Sequence, residues 1–67
     1  MDIRTLIGIR IAELRKSTGF TQEQLAGKME MSSKYLSSIE RGKENTTLKT
    51  LITLSETLNV DIVEIFS

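Results

Sequence analysis

The stretch Thr21–Gly42, which reads TQEQLAGKMEMSSKYLSSIERG, decides the fold of this 67-residue chain. Thr21 followed by Gln24 is a capping box, in which the hydroxyl accepts from the Gln24 amide and the Gln24 side chain reaches back. Ser32 or Ser33 is placed to cap the helix that follows, which is the third in the chain. Only three residues, 30–32, then separate the two helices, and so short a joint requires them to cross steeply.

Helical spacing recurs on both sides of this stretch, and no long alternation of polar and apolar residues indicates a strand. Asp2 is placed to cap a first helix that ends near Gly19, and Thr46 or Thr47 to cap a fourth that ends at Asn59. Asp61 and Glu64 form a second capping box, which opens a short fifth helix. Apolar residues at helical spacing give each of the first four helices an inward face. For the first helix these are Ile3, Ile7, Ile11 and Leu14, widened by Leu6 and by Ile9, which we expect to be partly exposed; for the second, Leu25, Ala26 and Met29; for the third, Leu36 and Ile39; and for the fourth, Leu48, Leu51, Ile52, Ser55 and Leu58.

The sequence therefore predicts an all-α fold, a compact bundle of five helices in a single domain that spans residues 1–67. No linker or low-complexity run divides the chain. Without Cys there is no disulfide framework, and without Cys or His there is no zinc site built on the usual ligands. No apolar run is long enough to cross a membrane, so we expect a cytoplasmic protein without a membrane partner.

The net charge of zero hides an uneven distribution. Residues 1–49 carry all nine basic side chains and six acidic ones, whereas residues 50–67 carry three acidic side chains and no basic one. Catalysis finds little support, because no carboxylates, lysines or hydroxyls form a recognisable constellation and the four glycines are isolated. We expect a binding protein without catalytic residues, cofactor or metal.

Three co-linear segments, TQEQLA from Thr21, IERGK from Ile39 and LKTLITLSETLNV from Leu48, resemble the lambda-repressor-like (XRE, Cro/cI-type) helix-turn-helix family. The resemblance covers about Leu6 to Phe66 and implies a DNA-binding domain whose third helix enters the major groove. Ala26 suits the point where the two helices cross, because a larger side chain would push them apart.

The outer face of the third helix carries Ser33, Lys34, Ser37 and Ser38, which we predict to contact base edges. Short side chains allow a helix to approach the groove closely, and hydroxyls donate or accept there. The resemblance aligns Ser33 and Lys34 with base-reading positions, and either a guanine or a phosphate is open as the target of Lys34. The predicted phosphate contacts are Gln22, which aligns with a phosphate-clamping residue, Tyr35, and, in the loop after the third helix, Lys43, Asn45 and Thr47. Tyr35 is equally compatible with half-exposed packing.

The resemblance also implies a structural salt bridge between Arg15 of the first helix and Glu40 of the third. At the tight turn this chain has Glu30 where most relatives have Gly. A left-handed Glu30 would cost about 1 kcal/mol or more, and its charge would lie at a helix carboxyl end.

One recognition helix touches too few base pairs for a selective site, and proteins of this type bind as two-fold dimers. We expect a homodimer on a palindromic double-stranded DNA operator, with residues 60–67 as the dimerisation helix. The predicted interface residues are Ile62, Val63, Ile65, Phe66 and Ile52. The alternative is that Ile62, Ile65 and Phe66 only close the core.

Two functions are compatible with these features. The first is a small sequence-specific transcriptional regulator, either a repressor or the controller protein of a restriction–modification system. The second is a protein-interaction module or antitoxin, whose apolar last helix binds a partner such as a toxin or an RNA polymerase subunit.

Overall fold

The computed structural model describes residues 2–67. Each helix in it begins after a polar residue whose side chain caps the helix. Four α-helices, α1 (Ile3–Ser17), α2 (Gln22–Lys28), α3 (Ser33–Glu40) and α4 (Leu48–Leu58), are followed by a 3₁₀ helix at Ile62–Phe66. Each of these five elements has a capping side chain that accepts from a backbone amide two or three residues later, namely Asp2, Thr21, Ser32, Thr47 and Asp61. The capping box of Thr21 and Gln24 is present in full.

The all-α prediction is confirmed, with one correction to the last element. Residues 62–66 form a 3₁₀ helix and not an α-helix, and the amide of Glu64 donates to the carbonyl of Asp61 three residues back, at 2.9 Å. A segment of five residues has room for such tight bonds but not for a developed α-helical ladder. No strand occurs between residues 2 and 67.

The four α-helices end in the same way, with one residue in the left-handed conformation. That residue is Gly19, Glu30, Gly42 or Asn59, at φ of 86°, 56°, 74° and 57° respectively. After α2, the amide of Met31 donates to the carbonyl of Ala26 at 3.0 Å, and the amide of Glu30 donates to Gly27 at 3.2 Å. This pair of bonds is the Schellman motif, and it gives the turn between α2 and α3 a fixed geometry.

The core is narrower than the sequence stripes predict. Ile3, Leu6 and Ile9 of α1 are exposed, as are Leu48 and Ile52 of α4, because each lies at the edge of its stripe or in the first turn of its helix. Ser55, at an inward position, is buried, and its hydroxyl donates to the carbonyl of Ile52 at 2.7 Å. The buried apolar residues are Ile11, Leu14, Leu25, Ala26, Leu36, Ile39, Leu51, Leu54, Leu58 and Ile65.

Helix α1 and the carboxyl end of α3 approach each other backbone to backbone at Gly8. A Cβ atom at this position would lie 2.5 Å from the carbonyl oxygens of both Ile39 and Glu40. A Cβ at Gly42 would likewise lie 2.7 Å from the Cα of Thr5. The absence of side chains at these two positions therefore sets the distance between α3 and the rest of the bundle.

Candidate nucleic-acid interface

Helix α3 has one apolar face in the core and one polar face in solvent. Leu36 and Ile39 are 0% and 2% exposed, so the helix is held firmly from within. The outer face is continuous, because residues three or four apart are neighbours on a helix. It consists of the predicted base-contacting residues Ser33, Lys34, Ser37 and Ser38, of which Lys34 is exposed and the three serines are half-buried.

Arg41 belongs to this face, and the sequence predictions missed it. Its Nε donates to the carbonyl of Ser37 at 3.3 Å, and its Nη2 lies 3.5 Å from the hydroxyl of Ser38. The guanidinium therefore lies along the last turn of α3 with several donors free. The spacing of four and three residues from Ser37 and Ser38 is the signal that could have identified it.

Glu40 connects the start of α2 to α1. Its Oε2 accepts from Arg15 Nε at 2.7 Å, and its Oε1 accepts from Arg15 Nη2 at 3.1 Å and from Gln22 Nε2 at 2.9 Å. Arg15 also donates from Nη1 to the carbonyl of Phe20 at 2.9 Å. The Arg15 and Glu40 side chains are 10% and 6% exposed, so this ion pair lies in the interior while Gln22 reaches the surface above it.

The loop after α3 contains three of the predicted phosphate-contacting residues, and they differ in how far their side chains are free to bind. Lys43 is exposed. Asn45 Oδ1 accepts from Arg4 Nη1 at 3.4 Å, which turns the amide NH₂ away from Arg4. Thr47 caps α4, and its hydroxyl is engaged twice by Thr50, at the backbone amide and at the Oγ1 atom. Because the Thr47 hydroxyl is already used in capping α4, Thr47 is the least able of the three to bind a phosphate.

Arg4 lies beside this loop but is neutralised locally. Its Nη2 is 3.0 Å from Asp2 Oδ2. The hydrogen bonds from the Arg4 side chain and backbone hold the pKa of the Asp2 carboxyl below its usual range. The stabilising effect of this exposed pair is small, and we do not assign Arg4 to the interface.

The surface around α3 carries a local excess of positive charge. Glu40 is the single carboxylate in residues 33–43, and Arg15 neutralises it in the interior. Lys34, Arg41 and Lys43 are all exposed. Three cations therefore surround a face of small hydroxyl side chains, an arrangement that suits a polyanion with polar groups between its charges.

The end of the chain places its apolar residues on two sides. Ile65 is 2% exposed, so it is a core residue and the prediction that it lies on a dimer interface is wrong. In a 3₁₀ helix side chains repeat every three residues, which places the partly buried Ile62 with Ile65 on the inner side. Val63 and Phe66 share the outer side and are 65% and 56% exposed.

An apolar groove lies between α1 and the 3₁₀ helix. Ile3, Leu6, Ile9 and Phe66 line it, with a volume of about 320 Å³. Arg10 at its border donates to the carbonyl and the carboxylate of Glu64, at 2.6 and 2.9 Å, and so joins the 3₁₀ helix to α1. Ile52 is also exposed but does not line this groove.

Residues 2–67 contain no group of three or more acidic, histidine or cysteine side chains close enough to hold a metal ion. In the same part of the chain no helix has both the length and the apolar character to cross a membrane.

These features define a helix-turn-helix protein, with α2 and α3 as the two helices of the motif. A family model described as helix-turn-helix matches residues 11–65, and the chain belongs to this family. The chain is 45% identical over 65 residues to an uncharacterized HTH-type transcriptional regulator, y4dJ, of Sinorhizobium fredii, covering 97% of this chain and 84% of that protein. The resemblance inferred from the sequence segments is thereby confirmed.

Restriction–modification control proteins are also among the similar proteins. Control protein C.MunI of a Mycoplasma species is 37% identical over 67 residues, covering 98% of this chain and 90% of that protein. The crystal structure of the restriction-modification controller protein C.AhdI from Aeromonas hydrophila superposes with a TM-score of 0.90 at 31% identity, over 96% of this chain and 97% of that one. The fold is therefore shared with nearly the whole chain of that controller structure.

Proposed function

We propose that the chain is a sequence-specific DNA-binding transcriptional regulator that inserts α3 into the major groove. The observation that carries the proposal is the outer face of α3, where small hydroxyl side chains lie between exposed cations. A groove about 12 Å wide admits such a helix. Base edges would meet Ser33, Lys34, Ser37 and Ser38, and phosphates would meet Gln22, Tyr35, Arg41, Lys43 and Asn45.

Within this class we favour a controller of a restriction–modification system over a phage-type repressor. The support comes from control protein C.MunI and the controller C.AhdI, which match this chain over nearly their whole length. A restriction endonuclease or methyltransferase gene beside the gene for this chain is the expected finding. Phage or toxin genes in its place would contradict the controller assignment. Because the ligand is DNA, we place the protein in the cytoplasm.

We also propose that the regulator binds a palindromic operator as a homodimer. A single α3 spans too few base pairs for selectivity in a genome, and two-fold dimers resolve this by reading two half-sites one helical turn apart. The outward residues Val63 and Phe66, with Ile62 and the exposed Ile52, are the apolar groups that a second copy would cover. Ile65 supports them from the core.

The test of DNA recognition is a gel shift with the duplex that lies directly upstream of the gene, over a salt series. The wild-type chain is expected to lose affinity steeply with salt, because each neutralised phosphate releases counterions. Ser33→Ala with Lys34→Ala should abolish specific binding, a loss of about 2–6 kcal/mol if two base contacts are removed. Lys16→Ala, which removes one cation at the end of α1, is the matched control and should bind like the wild type.

A second candidate function is protein binding without DNA, and the apolar groove between α1 and the 3₁₀ helix favours it. A toxin or an RNA polymerase subunit would cover this groove. A flat or absent salt response in the gel shift would support this alternative and contradict DNA recognition. Specific binding that persists in the Ser33 and Lys34 double variant would instead contradict the assignment of these two residues to the groove.

A further inference from the structure

We infer that Glu40 is a positioning residue for DNA binding, because it fixes the side-chain amide of Gln22 so that one N–H faces the phosphate backbone. This inference rests on the proposed function and deepens it. Gln22 is the first residue of α2, and Glu40 is the last residue of α3. The contact between them therefore joins the two helices of the motif at the surface that we assign to DNA.

The chemistry of Glu40 determines the orientation of the Gln22 amide. An ionised carboxylate accepts hydrogen bonds and cannot donate them. Gln22 must therefore present its NH₂ group, and not its carbonyl, to Glu40 Oε1 at 2.9 Å. One N–H is consumed in this bond, and the second N–H on the same nitrogen projects away from the carboxylate. A glutamine free of this contact would rotate, and it would present its carbonyl oxygen to a phosphate as readily as its N–H.

Arg15 holds the Glu40 carboxylate in place. It donates to both carboxylate oxygens, at 2.7 and 3.1 Å, and a third bond joins it to the carbonyl of Phe20, two residues before Gln22. Every buried side-chain nitrogen and oxygen in the described residues has a hydrogen-bond partner, so the interior part of this network is fully satisfied. The ion pair thus holds Gln22 through two routes, the backbone before α2 and the amide itself.

The first experiment needs no DNA. In the ¹⁵N NMR spectrum of the free protein, one Gln22 Hε2 proton is expected downfield and in slow exchange with solvent, because a carboxylate accepts it. Replacing the ion pair as a unit, Arg15→Met with Glu40→Met, avoids leaving a buried charge unpaired. The Gln22 protons should then move to the shifts of a solvent-exposed glutamine. A Gln22 amide that already has exposed shifts in the wild type would overturn the inference.

The second experiment is a double-mutant cycle with the upstream duplex as probe. In the wild-type background, Gln22→Ala is expected to weaken binding about tenfold, as is typical for a hydrogen bond to a charged acceptor. In the Met/Met background the same substitution should cost less than about twofold, because the amide is no longer oriented. An equal loss in both backgrounds would show that Gln22 acts without Glu40.

Gln22→Asn keeps the amide but is one methylene too short to reach both partners, so it should bind as poorly as Gln22→Ala. If the Met/Met chain fails to fold, Gln22→Asn replaces it as the test. Wild-type affinity of Gln22→Asn would overturn the inference. The neutral variants should leave the salt dependence of binding unchanged, whereas Lys34→Ala should lower the slope by about one. Absence of salt-dependent binding by the wild-type chain would instead contradict the proposed function, and the NMR result would still stand.

Discussion

At the scale of single residues, Glu30 stands out because its neighbours in the sequence predict a sharp turn that its side chain disfavours. Its φ of 56° is left-handed, and at the equivalent point after α1 and α3 the chain has Gly. Its negative charge lies at the carboxyl end of α2, where a helix favours cations. Glu30→Gly should raise the free energy of unfolding by about 0.5–1 kcal/mol, since the relief of strain exceeds the entropy that glycine adds to the unfolded chain. The midpoint of urea unfolding measures this change.

Glu23→Gly is the matched control for that substitution. It makes the same chemical change within α2, in a right-handed conformation, and should lower the stability by about 1 kcal/mol. A loss of stability in both variants would mean that the Glu30 side chain has contacts that outweigh its strain. The position of Glu30 at a tight turn was readable from the sequence, because the caps on either side leave room for nothing else.

At the scale of helices, α1 and the end of α3 pass so close together at Gly8 that no side chain fits between them. Gly8→Ala should destabilise the fold by at least about 2 kcal/mol, because its Cβ would meet two carbonyl oxygens at 2.5 Å and the helices must separate. Gly27→Ala is the control. A Cβ at Gly27 meets nothing within 4 Å, so this variant should gain about 0.8–1 kcal/mol of helix propensity. Thermal unfolding followed by circular dichroism compares the two, and a neutral Gly8→Ala would contradict the close approach.

Helix boundaries were predictable and helix contacts were less so, for a physical reason. Caps such as Asp2 and Thr21 act within three residues, so their effect is visible in a short stretch of sequence. The contact at Gly8 is made with the backbone of residues 39 and 40, which are distant in the sequence, so no local sequence pattern predicts it. The side of Ile65 was mispredicted because four apolar residues in a run of five fit either helical period. Only the period of three buries Ile65 with Ile62 and exposes Phe66.

At the scale of the whole molecule, charged side chains divide into structural and available groups. The arginines of α1, Arg4, Arg10 and Arg15, all have carboxylate partners within 4 Å. In the part of the chain that the structure describes, Lys34, Arg41 and Lys43 have none, and all three belong to α3 or the residues after it. Lys16, Lys28 and Lys49 also have no carboxylate partner among the described residues, so three of these six cations lie at the proposed interface.

Measuring the oligomeric state tests the proposed dimer interface at the end of the chain. If a second copy covers Val63 and Phe66, replacing both with Glu should weaken self-association at least about 30-fold, since buried apolar anchors contribute 2 kcal/mol or more. The fold should survive, because both side chains are more than half exposed in one copy. Sedimentation equilibrium without DNA should show the wild type approaching twice 7.6 kDa as concentration rises, and the variant remaining near 7.6 kDa. Tyr35→Glu on α3, which adds a charge at another exposed aromatic position, should dimerise like the wild type. A wild-type chain that stays monomeric, or a double variant that still dimerises, would remove residues 60–67 from the interface.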